Sequence, residues 1–164
     1  MRLTDRVAHI LGPRLSYRLV SVWWWLRRPV VIGVRVVVLR DNYVLLVRHT
    51  YREGWFFPGG IVGRGEILSA AARREVREET GIDITDIELL GVYTSFAKYV
   101  TDHVAAFTAR GGDTVGTPDH EIAEAAWFPR DALPRNVDPS VPRRLREVDL
   151  GRRGLHGRWE ADLA

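Results

Sequence analysis

Cysteine is absent from all 164 residues, and lysine occurs once, at Lys98. Without thiols the chain can form neither a disulfide nor a thiolate metal site, which fits a reducing compartment, so a cytoplasmic setting is expected. Histidine is sparse too: His9, His49, His103, His120 and His156 never fall at a His-x-x-x-His or other zinc spacing. The longest apolar run near the start is broken by Arg27, Arg28 and Pro29, so nothing there spans a bilayer. No cleavable signal pattern opens the chain. A Walker loop is missing, because no Gly-Lys-Ser/Thr follows the glycines, and so is the Gly-x-Gly-x-x-Gly of dinucleotide folds. No serine sits in a Gly-x-Ser-x-Gly elbow, which leaves no good nucleophile for covalent catalysis.

What is present suits one domain with a proper core. An apolar fraction of 46% beside 27% charged residues is ordinary for a globular protein. The formal charge of +3 is carried almost wholly by arginine. Arginine suits bidentate phosphate contacts, although a GC-rich genome gives the same bias. A net charge this small does not argue for nucleic-acid binding.

Apolar residues at Leu3, Val7, Ile10, Leu15, Leu19, Val22 and Leu26 recur near helical period, broken at Gly12-Pro13. Residues 1–28 therefore read as an N-terminal helical extension. Val30–Leu39 is β-branched and predicts a strand, turning at Asp41-Asn42 into Tyr43–His49. Ile87–Phe96 and Asp102–Arg110 predict two more strands joined around Lys98–Thr101, Glu124–Phe128 a short one, and Ser140–Val148 a final helix. These elements make residues 29–150 one α/β domain, with a mixed β-sheet between helices. Residues 151–164 read as a loose C-terminal tail, with Trp159 as a candidate anchor. The run Trp23-Trp24-Trp25 beside Arg18, Arg27 and Arg28 suits a membrane-surface helix. A single short basic helix anchors weakly, however, so the favoured reading has one or two tryptophans packed on the sheet and the third covering a homodimer contact.

The densest signal lies between Gly60 and Ile82. From about Ile67 to Thr80 there is neither proline nor glycine, and Ala, Leu, Arg and Glu favour a helix. Gly81 stands where a left-handed cap would end it, and Ala72, Val76 and Thr80 form its buried stripe. Glu75, Glu78 and Glu79 are spaced i, i+3, i+4, so their carboxylates leave one side of the helix. Like charges at that spacing disfavour a bare helix by a few tenths of a kcal/mol per pair. A hard divalent cation compensates well, because Mg²⁺ takes carboxylate, carbonyl and water oxygens and leaves positions for substrate phosphates. The preceding Pro58-Gly59-Gly60-Ile61-Val62-Gly63-Arg64-Gly65 lets backbone approach a ligand or metal closely.

Gly60, Glu66, Arg74, Glu75, Val76, Glu78, Glu79, Gly81 and Ile82 fall where the Nudix box requires them, and the segment resembles the catalytic loop–helix of a Nudix hydrolase. The entry Gly54-Trp55-Phe56-Phe57-Pro58-Gly59-Gly60 resembles the W-x-x-P-G-G of that family. Trp127-Phe128-Pro129 onward resembles its closing strand and turn. The resemblance implies an α/β/α sandwich and a Mg²⁺-dependent hydrolase, with Mn²⁺ as a substitute. It implies cleavage of a nucleoside diphosphate linked to a group X into a nucleoside monophosphate and phosphorylated X. By position, Glu75, Glu78, Glu79 and the Gly59 carbonyl would be metal ligands, and Glu75 or Glu79 would position the attacking water. Arg74 would hold a glutamate of the box, and Glu66 would tie the glycine loop to the helix. Glu121, with Glu124 behind it, is the candidate for a further ligand or base from a later loop. Arg48, Trp55, Gly60 and Tyr99 are candidate substrate contacts.

The substrate stays open among a nucleoside triphosphate, a nucleoside diphosphate sugar and a dinucleoside polyphosphate. Tyr99, seventeen residues after Ile82, resembles a feature of diadenosine polyphosphate hydrolases. Two other readings stand beside this one. One is a nucleotide-sensing Nudix module without turnover. The other is a membrane-peripheral hydrolase of an isoprenoid or lipid-linked diphosphate, suggested by the tryptophan-rich segment.

Overall fold

β-Branched residues dominate Val30–Arg40, and that stretch forms β1, the central scaffold of the sheet. The structure is a computed structural model that describes residues 30–96, 100–112 and 120–160. The expected N-terminal helices, the Trp23-Trp24-Trp25 run, Lys98 and Tyr99 lie outside those residues. β1 turns through Asp41, whose φ is 50°, into β2 (Tyr43–His49), and Arg40 and Leu39 pair with Tyr43 and Val44.

Further along β1 the glycine loop takes over as its neighbour. The N–H groups of Val36 and Val34 donate to the carbonyls of Pro58 and Gly60 at 3.0 and 2.8 Å, and Val62 N–H donates to Ile32 at 3.0 Å. On the loop's other side Val47 and Phe56 exchange both backbone hydrogen bonds at 2.9 Å. The loop is therefore held as extended chain wedged between two strands.

After the loop come α1 (Leu68–Thr80), β3 (Ile84–Ser95), β4 (Thr101–Gly111), β5 (Ile122–Pro129), α2 (Ser140–Asp149) and β6 (Leu155–Arg158). The six strands form one mixed sheet in the order β5-β2-β1-β4-β3-β6. β1 runs parallel to β4, and β4 antiparallel to β3. Alternation along the strands sends Val34, Val36, Val38, Ala105 and Phe107 against Ala71, Ala72 and Val76 of α1. The opposite face sends Val37, Leu46, Leu90 and Tyr93 against Val141 and Leu145 of α2. This is the α/β/α sandwich predicted above. Among the described residues no helix is long and apolar enough to cross a membrane.

One expectation is corrected. The segment after Gly151 is not a loose tail, because Leu155–Arg158 pairs parallel with Gly91–Thr94 of β3 and forms the edge of the sheet. Trp159 N–H then donates to Thr94 O at 3.0 Å. The pairing is made by backbone groups, and a Leu-His-Gly-Arg strand carries almost no side-chain pattern to betray it. Trp159 packs edge-on against Tyr93, and the fully buried Arg144 guanidinium lies 4.0 Å from the Tyr93 ring centre and 5.3 Å from that of Trp159. Arg144 is neutralised by Glu147 at 2.8 Å, and Glu147 also accepts from the Tyr93 hydroxyl at 2.7 Å.

Candidate active site

α1 presents its acidic side to the wedged loop. Its C-terminus is closed by Gly81 at φ 69°, whose N–H donates to Arg77 O at 2.8 Å. Glu75 is only 7% exposed although charged, because it points from the buried stripe toward Gly60. A Cβ at Gly60 would come within 2.5 Å of the Glu75 carboxylate. At Gly59, with φ 142°, a Cβ would lie 2.2 Å from Val34 O. Glycine is needed at both positions for the loop to pass between β1 and the carboxylates.

Arg74 gathers the acidic groups of the loop and helix. Its Nε and Nη2 grip Glu66 at 2.7 and 2.9 Å, while Nη1 reaches Glu75 at 2.6 Å and Glu78 at 3.1 Å. Glu66 in turn accepts from Gly63 N–H at 2.8 Å, which fastens the loop to α1. These bonds, that to Glu66 first, hold the guanidinium proton more firmly still. Glu78 is half exposed, at the rim.

Glu79 accepts from Gly59 N–H at 2.8 Å. Burial pushes its carboxyl up to about 8, with the Glu75 and Glu121 charges adding to the rise and Arg35 and the Gly59 N–H opposing it. Glu121 is thereby placed in the field of Glu79. Its main chain is held at the end of β2 by Thr50, whose N–H donates to Glu121 O at 2.9 Å. Glu124 belongs elsewhere: it pairs with Arg48 at 2.9 Å on exposed surface.

Arg48 also lies over the Trp55 ring, 5.9 Å from its centre. Trp55 itself is 8% exposed and packs edge-on against Phe128, so its ring is core rather than a platform for a substrate base. Gly60 has its carbonyl committed to Val34.

The sequence reading missed Arg35. Its Nη1 donates to the Gly59 carbonyl and, at 3.2 Å, to that of Val34. A charge within a β-branched strand was the available signal. His49 is the last residue of β2. Its ring stacks on Tyr51 at 5.1 Å and tilts against Phe56. Burial lowers its pKa to about 4, helped by the charges of Arg35 and Arg52, so it is neutral at physiological pH.

Among the described residues no three acidic or histidine side chains converge at coordinating distance. The carboxylates are instead shared between Arg74, the Gly59 N–H and the field of Arg35. The groups near Glu79 that could hold a metal are all oxygen donors: Glu75, Glu79 and Glu121 with the Gly59 carbonyl. A carboxyl kept protonated by burial and like charges lacks counter-charge, and that chemistry fits a hard divalent cation.

Known proteins share the fold that carries these residues. A NUDIX domain profile matches residues 29–148. A CMP-5'-(N-acetyl-N-hydroxy-3-aminopropyl)phosphonate hydrolase of Streptomyces rubellomurinus is 32% identical over 60% of this chain and 52% of its own length. An NAD-capped RNA hydrolase of Vibrio vulnificus is 35% identical over 60% of this chain and 38% of its own. The chain thus spans about half or less of these relatives. A solved NUDIX hydrolase from Nitrosomonas europaea superposes with a TM-score of 0.65 at 26% identity, over 76% of this chain and 91% of that one. The chain belongs to the Nudix family.

Proposed function

We propose that this protein is a Mg²⁺-dependent pyrophosphohydrolase that cleaves a nucleoside diphosphate linked to a further group X, releasing a nucleoside monophosphate and phosphorylated X. The observation that carries the reading is Glu79, which accepts from Gly59 N–H and whose carboxyl is pushed up to about 8 by burial; Glu75, Glu79, Glu121 and the Gly59 carbonyl would hold the cation. A divalent cation bound there lowers the pKa of water and neutralises charge on the phosphate oxygens. Arg74 holds Glu75 and Glu78 in place, and Glu66 fixes the loop against α1. Glu79, once ionised, would orient water and take its proton. Positioning and electrostatics supply the acceleration, as expected for transfer at phosphorus, and no covalent intermediate is needed.

The curated relatives carry nucleotide derivatives of different kinds in their names, a CMP-linked phosphonate and NAD-capped RNA among them. The test is therefore a panel of nucleoside triphosphates, nucleoside diphosphate sugars, dinucleoside polyphosphates and NAD with Mg²⁺, repeated with Mn²⁺ and with chelator. Turnover of at least one member should disappear with chelator and fall about 10³-fold or more in Glu79→Gln, the scale for loss of a general base. Binding of nucleotides without hydrolysis of any would favour a sensor module instead.

A further inference from the structure

Arg35 and Gly33 are two apart on β1 and share a face of the sheet. Asp102, at the start of β4, leans over Gly33: a Cβ there would lie 3.3 Å from Asp102 Oδ1 and 3.4 Å from Gly60 O. Without a side chain at Gly33, the Asp102 carboxylate fills the space over β1 on the face that also carries Arg35. Arg35 is engaged with the Gly59 carbonyl. Asp102 Oδ1 is buried and accepts no hydrogen bond.

A buried acceptor left unmet is costly, the more so when charged, so a donor is expected in some state of the protein. Arg35 is the best-placed candidate. Its charge opposes the rise that burial imposes on the Asp102 pKa, more strongly than His103 does, while Glu160 adds to that rise. Arg35 also acts on Glu79 and His49. Yet in the structure it rests on Gly59 O, an oxygen that the proposed function gives to the divalent cation. A guanidinium and a divalent ion repel one another on a shared carbonyl.

We propose that Arg35 is a positioning residue with two berths, holding the Gly59 carbonyl in the cation-free protein and moving along Gly33 to pair with Asp102 when a divalent cation takes that carbonyl. This rests on the metal-dependent reading above. Its consequence is specific: Asp102 strengthens cation binding only through Arg35, by giving the displaced guanidinium a partner.

Calorimetric titration of the full chain with MnCl₂ alone, without nucleotide, tests it. Asp102→Asn should weaken Mn²⁺ binding on the order of tenfold, the worth of a hydrogen bond to a charged group. Arg35→Met should tighten it by removing the competitor, and Asp102→Asn should add nothing in the Arg35→Met background. Gly33→Ala, whose methyl would press on the Asp102 carboxylate without removing a charge, should mimic Asp102→Asn and be suppressed in the same way. The proposal is overturned if Asp102→Asn weakens binding equally in both backgrounds, since Asp102 then acts on the ion directly. It is overturned as well if neither Asp102→Asn nor Gly33→Ala has an effect while the wild type binds Mn²⁺. A wild type that binds no Mn²⁺ sinks the metal-dependent reading itself.

Discussion

A carboxyl group that keeps its proton to about pH 8 is a poor ligand at neutral pH, and Glu79 is such a group. Cation binding must displace that proton, so apparent affinity should rise with pH up to about 8, by as much as roughly tenfold per unit, and then level off. Titrations with Mn²⁺ at pH 6, 7, 8 and 9 check this; a flat series would refute it. The same shift has a signed effect on stability. Unfolded Glu79 titrates near 4.5 and folded Glu79 near 8. Between those values the folded state holds the extra proton, so the contribution of this group is full at low pH and declines as pH rises toward 8. Metal-free Glu79→Gln should therefore melt higher than the wild type at pH 8 and no higher at pH 4. This is the reverse of a salt-bridged carboxylate, and it shows a site held against its own electrostatics.

The loop between β2 and α1 is the element on which the geometry depends. It replaces β2 as the partner of β1 and so carries the Gly59 carbonyl and N–H to the carboxylates. Two glycines there should respond differently to alanine. At Gly59 the new methyl meets the backbone of Val34, and φ is positive. Nothing there can yield cheaply, so Gly59→Ala should cost about 3 kcal/mol or more and lower Tm clearly. At Gly60 the methyl meets the carboxylate end of the Glu75 side chain, which yields more readily than backbone but only by disturbing its bond to Arg74. Gly60→Ala should keep Tm near that of the wild type yet lose about 100-fold in kcat, the scale for misplacing a catalytic group by an ångström. Equal melting temperatures for the two variants would show that the loop is not wedged as described.

At the scale of the molecule, α2, β3 and β6 are joined by a buried charge. Arg144 lies against both the Tyr93 and Trp159 rings, with Glu147 as counter-ion. Removing one partner of such a group is strongly destabilising, because the other charge remains buried. Deleting residues 151–164 strips away both the edge strand and the tryptophan over the guanidinium. Tm should fall on the order of 5–10 °C, as a loss of about 2–3 kcal/mol gives in a domain of this size. Activity at low temperature should survive, since β6 lies at the sheet edge beyond β3 and carries none of the acidic groups of the site. A fall in kcat without a fall in Tm would contradict that separation.

The amino-acid sequence by itself determined the pieces built from neighbours along the chain: the β-branched strand before Arg40, the turn at Asp41, and the helix with carboxylates at i, i+3 and i+4 and its glycine cap. Helical pitch and strand alternation are local, so residue spacing suffices to read them. Tertiary structure alone decided which distant groups meet. Arg35 lies 24 residues from the carbonyl it holds, and Glu79 lies 20 residues from the N–H it accepts from. The burial of Trp55, the pairing of Arg48 with Glu124, the approach of Glu121 to Glu79 and the docking of Leu155–Arg158 likewise follow from strand order and register. A charge in a strand or four unremarkable tail residues carries no periodic signal. Their roles arise only when the sheet closes and its long-range hydrogen bonds and fields act.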